Sequence, residues 1–212
     1  MMGPVFDTVF NERLAELLAW RRDVRRFRTD PVPPALLDRL FDVVQLSPSV
    51  GNSQPWRWAA VDDPARRQAV RANFQRCNDA ALHEQADERQ AAYAALKLEG
   101  LRAAPVQFAI FCDAETEQGH GLGRATMPET LAYSTVLAIA AFWLAARARG
   151  LGVGWVSILD PAAMNAIVDV DPAWRFVAYL CVGWPEEEHI DPELARHGWQ
   201  GRTEAGRTIL QR

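Results

Sequence analysis

The chain has 212 residues, 49% hydrophobic and 24% charged, enough to bury one sizeable core and too apolar for a disordered segment. Its formal net charge of −4 argues against a broad nucleic-acid footprint, which needs a dense basic surface, and leaves room only for a local anion site. Cys77, Cys112 and Cys181 are odd in number and dispersed, which fits reduced thiols in a cytoplasmic protein better than a disulfide framework.

Asp7, Glu12 and Arg13 fall where a signal peptide needs an apolar run. Thr8 to Trp20 has helical periodicity, with Val9, Leu14, Leu17 and Leu18 on one face. After Pro31, Pro33 and Pro34, a second helix carries Leu36, Leu37, Leu40, Phe41, Val43 and Val44 and stops at Ser47-Pro48. Ser47 to Trp56 is an irregular loop. A short strand is predicted over Trp58 to Val61, helices over Pro64 to Phe74 and Ala80 to Leu101, and a central strand over Pro105 to Cys112. Asp113 to Met127 is a polar, glycine-rich loop. A long helix runs from about Pro128 to Arg149, apolar on nearly all sides between Leu131 and Ala146. That stretch is shorter than a bilayer span and includes Tyr133, Ser134 and Thr135, so it reads as buried in a core or between subunits, and no membrane association is expected. Beyond Gly150 come a strand over Val153 to Ile158, a short helix over Pro161 to Val168 and an apolar strand over Phe176 to Val182. The layout is α+β: one domain over residues 8–200 with a small mixed sheet flanked by helices, a cover somewhere within 80–127, and an extended arm over 188–212.

Three constellations could carry chemistry. Arg21 and Arg25, four apart, share a face if the first helix continues, and Arg22 flanks them. Converging guanidinium groups suit a phosphomonoester, although basic helix ends are also common as solvated surface. Ser49, Asn52, Ser53 and Gln54 offer donors and acceptors, with Gly51 permitting close backbone approach. A planar heterocycle needs such an array, as does an ordinary helix-to-strand connection. Gly150-Leu151-Gly152-Val153-Gly154-Trp155-Val156-Ser157 places glycines where a strand can pass close to a ligand ring, or simply where a tight turn needs them. Gly119-His120-Gly121-Leu122-Gly123 has the wrong spacing for a dinucleotide site, and the four histidines lack metal-ligand spacing, so no metal is expected.

The order of these strings resembles the FMN-dependent nitroreductase family: Arg21-Arg22-x-x-Arg25-x-Phe27, then Pro48-Ser49-x-Gly51-x-x-Gln54-Pro55-Trp56, then Trp155-Val156-Ser157. The likeness runs from about Trp20 to Trp199. Asp23 stands where most of that family has serine. Together with Leu96-Lys97-Leu98-Glu99-Gly100-Leu101, Ala104-Pro105, Leu144-Ala145-Ala146-Arg147-Ala148 and Gly152 to Ser157, it resembles the branch of the family that consumes its flavin.

The resemblance implies a nitroreductase-like fold with the long helix at a homodimer interface and each site built by two subunits. Arg21, Arg22 and Arg25 would hold the phosphate and ribityl end, with Arg202 adding to the phosphate site. Asp23 would lie beside the flavin and its sugar chain, and Ser157 near the ring and the oxygen site; these two would be catalytic. Val24, Ser49, Gly51, Ser53, Gln54, Leu98 and Gly154 would complete the flavin contacts. The implied reaction takes reduced FMN as substrate and O2 as co-substrate, giving 5,6-dimethylbenzimidazole and erythrose 4-phosphate, with a separate flavin reductase supplying FMNH2. The alternatives are an NAD(P)H-dependent nitroreductase or flavin reductase that recycles FMN, and a non-catalytic flavin carrier.

Overall fold

Four strands organise the computed structural model, which describes residues 3–211. In spatial order they are β1 (Trp56–Ala60), β2 (Val106–Cys112), β4 (Arg175–Gly183) and β3 (Gly152–Val156). All three pairings are antiparallel. The sheet becomes mixed only at its β3 edge, where Asp23 pairs with Val153 in the parallel sense and Val24 N–H donates to Val153 O at 3.0 Å.

Both faces of the sheet are covered, which is why β2 and β4 read as continuous apolar runs. Alternation along a strand sends successive side chains to opposite sides. Phe108, Ile110, Ala178, Leu180 and Val182 face one core, under α2 (Pro34–Val44) and α5 (Thr130–Arg147). Ala109, Phe111, Tyr179 and Cys181 face the other, with Phe27, Val70, Phe74, Leu101 and Met164. The last group comes partly from α3 (Pro64–His83) and α6 (Met164–Val168). Gln107 is buried in this second layer because both ends are partnered: its amide donates to Leu101 O at 2.8 Å, and Tyr179 Oη donates to its carbonyl oxygen at 2.8 Å.

Element types match the sequence reading, with shifted limits. α1 is Thr8–Trp20. α3 continues to His83, and the second polar helix shrinks to α4 (Asp87–Ala94), because the chain breaks at 84–86. Helix α1 does not continue into the arginines: residues 21–27 are extended. The helical spacing that would have put Arg21 and Arg25 on one face is therefore absent: Arg21 lies against Trp143 of α5, and Arg25 turns to Asp23 and Lys97 O. The arm carries a short α7 (Glu193–Arg196).

Helix α5 is buried on only one side. Leu131, Ala138, Ile139 and Phe142 pack inward, while Tyr133, Val136 and Leu137 face out, and Val9, Leu14 and Leu18 of α1 are also exposed. It is the only helix among the described residues long and apolar enough to cross a membrane, and half of it is buried against the sheet and α2.

Candidate active site

The extended segment 21–27 lies along the outer edge of β3 because two glycines make room for it. A Cβ on Gly154 would stand 2.0 Å from Val24 O, and one on Gly152 would stand 2.7 Å from the Val24 side chain. The close approach at Gly154 is thus made by the chain's own backbone. Gly100 makes room in the same way for the Phe27 ring, 2.4 Å from its would-be Cβ, which brings Lys97 and Leu98 alongside.

Asp23 is held at both oxygens. Its Oδ1 accepts from Trp155 N–H at 2.8 Å, and its Oδ2 accepts from Arg25 Nε at 2.9 Å. Each oxygen keeps a free lone pair. The side chain retains 32% of its surface exposed. Burial nevertheless raises its pKa, outweighing the opposing effects of the Trp155 N–H and the Arg25 guanidinium.

The arginines divide by partner. Arg25 is committed: besides Asp23, it donates to Lys97 O at 2.8 Å. It faces the carboxylate rather than standing free for a phosphate. Arg26 is neutralised by Glu193 at 2.8 Å and Glu187 at 3.2 Å. Arg21, Arg22 and Arg202 are different. No carboxylate among the described residues lies within 4 Å of any of them. Arg21 sits over the Trp143 ring at 4.9 Å. Arg22 donates to Ala19 O, while its buried Nε has no partner. Burial, then Arg21, then Arg202 lower the Arg22 pKa, and only Asp191 opposes them. Unneutralised guanidinium groups with an orphaned buried N–H are what a phosphate would satisfy.

Ser157 lies just past β3, exposed, two residues beyond the Trp155 that bonds Asp23. The structure places Arg21, Arg22, Asp23, Val24 and Arg25 on one extended segment at the β3 edge, with Gly154 against Val24, Lys97 O bonded to Arg25, Leu98 next in sequence to Lys97, and the Arg202 charge felt at Arg22; Ser157 lies four residues along the chain from the Asp23–Val153 bridge. Ser49, Gly51, Ser53 and Gln54 are elsewhere, at the start of β1. From Asp23 to Trp56 the pairing crosses four strand spacings and six residues of β2, a separation on the order of 25 Å. The cleft beside Asp23 encloses about 40 Å³, room for only a few waters. The two groups of sequence-predicted residues therefore lie at two separate corners of one sheet.

Sequence reasoning missed Trp143 beneath Arg21, the Lys97 carbonyl, and the acidic run Glu187, Glu188 and Glu193 that meets Arg26 and Arg147. The run of three glutamates at 186–188 was the available signal, since so dense a charge needs cations. Among the described residues, no three His, Cys, Asp or Glu side chains gather as metal ligands.

The fold and this edge site define a class. The nitroreductase family profile matches residues 18–184, and the chain belongs to that family. Within the family it is similar to 5,6-dimethylbenzimidazole synthase of Rhodospirillum rubrum, 62% identical over 200 residues, covering 94% of this chain and 95% of that protein. The Rhodobacter capsulatus protein of the same name is 50% identical over 195 residues, covering 92% and 94%. Oxidized iodotyrosine deiodinase, solved with FMN and 3-iodo-L-tyrosine bound, shares the fold at a TM-score of 0.70 and 23% identity, covering 83% of this chain and 91% of that one.

Proposed function

We propose that this chain fragments reduced FMN with oxygen to 5,6-dimethylbenzimidazole and erythrose 4-phosphate, supplying the lower ligand for cobalamin biosynthesis. Its long, high-identity likeness to proteins named for that product supports this reading. The observation that carries it is Asp23, a carboxylate fixed at both oxygens by the Trp155 N–H and Arg25, on the same extended segment as Arg21 and Arg22, which have no carboxylate within salt-bridge reach among the described residues.

Bound reduced FMN supplies electrons for direct reaction with oxygen. Arg21, Arg22 and Arg202 hold its phosphate. Asp23 removes a proton from the ribityl carbon next to the ring; its raised pKa makes it a stronger base than an ordinary aspartate. Arg25 and the Trp155 N–H aim the carboxylate and leave one lone pair on each oxygen for that proton. Val24, Leu98 and Gly154 shape the wall on which the sugar chain rests, and the Ser157 hydroxyl positions the reacting edge of the ring. Residues 84–100 form the cover that excludes water. Strand β2, within the span 80–127, is fixed in the core and is no part of that cover.

The other wall comes from Ser49, Gly51, Ser53 and Gln54 of a second copy. The outward apolar faces of α1 and α5 are the surface on which a homodimer forms. A separate flavin reductase delivers FMNH2, and the reaction runs in the cytoplasm.

The test is to mix the purified protein with chemically reduced FMN in air and assay 5,6-dimethylbenzimidazole by mass spectrometry. Product without NAD(P)H is expected. Intact FMN with rapid NAD(P)H oxidation would establish a recycling reductase instead, and intact FMN without oxidation a carrier.

A further inference from the structure

The glycine-rich string Gly119 to Gly123 has no place in the mechanism above, yet it is locked to the Ser49–Gln54 loop. A Cβ on Gly119 would stand 2.7 Å from Gly51 O and 3.1 Å from Ser53 Cβ. One on Gly123 would stand 2.7 Å from the Val50 side chain. Reciprocally, one on Gly51 would stand 3.0 Å from Leu122 O and 3.1 Å from Gly119 O. The Gln118 amide adds a hydrogen bond to Asn52 O at 2.9 Å. The two loops therefore fit face to face, backbone against backbone.

The loop so gripped is strained. Asn52 and Gln54 hold positive φ of 53° and 43° without being glycine. Ser53 is 3% exposed, and its hydroxyl has no partner within the chain. Non-glycine residues keep such conformations only where the surroundings over-determine them. Within the loop, Asn52 N–H donates to Ser49 O and Ser53 N–H to Val50 O. Gln54 N–H donates to Ser49 Oγ, and Val50 N–H to Ser134 Oγ on α5. Helix α5 and the 118–123 segment thus brace it from two sides.

We infer that Gln118 to Gly123 is a positioning element for the reaction: it forces the Ser49–Gln54 loop into the strained shape that presents it to the flavin. Gly119 acts through that loop. The inference rests on the proposed flavin-facing role of the loop, and the experiment separates the two.

Gly119 and Gly121 both have positive φ, 84° and 75°, so alanine strains the backbone at either position. Only at Gly119 does the new Cβ meet the Ser49–Gln54 loop; at Gly121 the nearest atom is Arg124 Nε at 3.7 Å. Gly119→Ala, Gly121→Ala and the milder Gln118→Ala are compared in the full-length protein. The readouts are amide hydrogen exchange at residues 50 and 52–54, FMN affinity, and product yield from reduced FMN. The expected result for Gly119→Ala is faster exchange at those amides, with FMN affinity or yield lowered about tenfold or more. Gln118→Ala should act in the same direction less strongly, and Gly121→Ala should stay within about twofold. Unchanged exchange at 50–54 in Gly119→Ala, or equal effects in Gly119→Ala and Gly121→Ala, would overturn the positioning role. Should Gly119→Ala fail to fold, Gln118→Ala decides: normal exchange there overturns it as well. Faster exchange with full affinity and full yield upholds the brace and removes the loop from the flavin site.

Discussion

Asp23 combines a raised pKa with fixed geometry, and the sign of its pH effect follows. The folded chain holds the Asp23 proton to higher pH than an unfolded chain would. Between the unfolded value and the raised folded value, stability falls as pH rises, and the deficit is complete above the folded value. Asp23→Asn removes that deficit while keeping a carbonyl oxygen for the Trp155 N–H. Its melting temperature at pH 8 should therefore exceed the parent's, with the gap closing in acid; calorimetry at several pH values checks this. The same variant should bind FMN within a few-fold of the parent and lose product by about 100-fold or more. In the parent, yield should fall as pH drops through the raised value, because the base is then protonated. Arg22→Ala should weaken FMN binding by about 10- to 100-fold, read by titration, since a charge-assisted contact to phosphate contributes roughly 1.5–3 kcal/mol. The sequence showed these residue types and their order. It did not show that Arg25 turns to Asp23 and Lys97, because that depends on the chain leaving the helix at Trp20 and running along β3.

Among the elements, the edge of β3 is the least tolerant. The glycines at 152 and 154 were legible as places of close approach, but what approaches was not: periodicity carries no information about a segment 130 residues away. Gly154→Ala drives a methyl group into Val24 O and should cost about 2–3 kcal/mol in urea denaturation, with Asp23 displaced from Trp155. The long helix was legible from its apolar run. Its two-sidedness was not, because an apolar run reads alike whether one face or both are covered within the chain. The loop at 119–123 was legible only as a failed dinucleotide motif, since its partner, the Ser49–Gln54 loop, is distant in sequence.

Across the whole molecule, the proposed flavin-binding motifs separate into two groups at opposite corners of one sheet. Sequence order joins them; the pairing of β1, β2, β4 and β3 sets them apart. Leu137→Glu, in the middle of the exposed face of α5, should yield a monomer by analytical ultracentrifugation and abolish turnover. Complementation gives a second check. Asp23→Asn disables one corner, and Gly51→Val, at positive φ and against Leu122 O, disables the other. Subunit exchange between the two inactive proteins should recover about a quarter of parental activity, because half of the mixed chains pair unlike and each such pair holds one undamaged site. Recovery of none would mean each chain works alone.

The distance between those corners has a consequence for newly made protein. On the proposed two-subunit site, a chain just released from the ribosome carries its proton acceptor at one end of the sheet and the loop meant to face it at the other. Such a chain is expected to leave reduced FMN intact until it meets a copy of itself. Assembly would then be the safety catch on a reaction that destroys a vitamin-derived molecule.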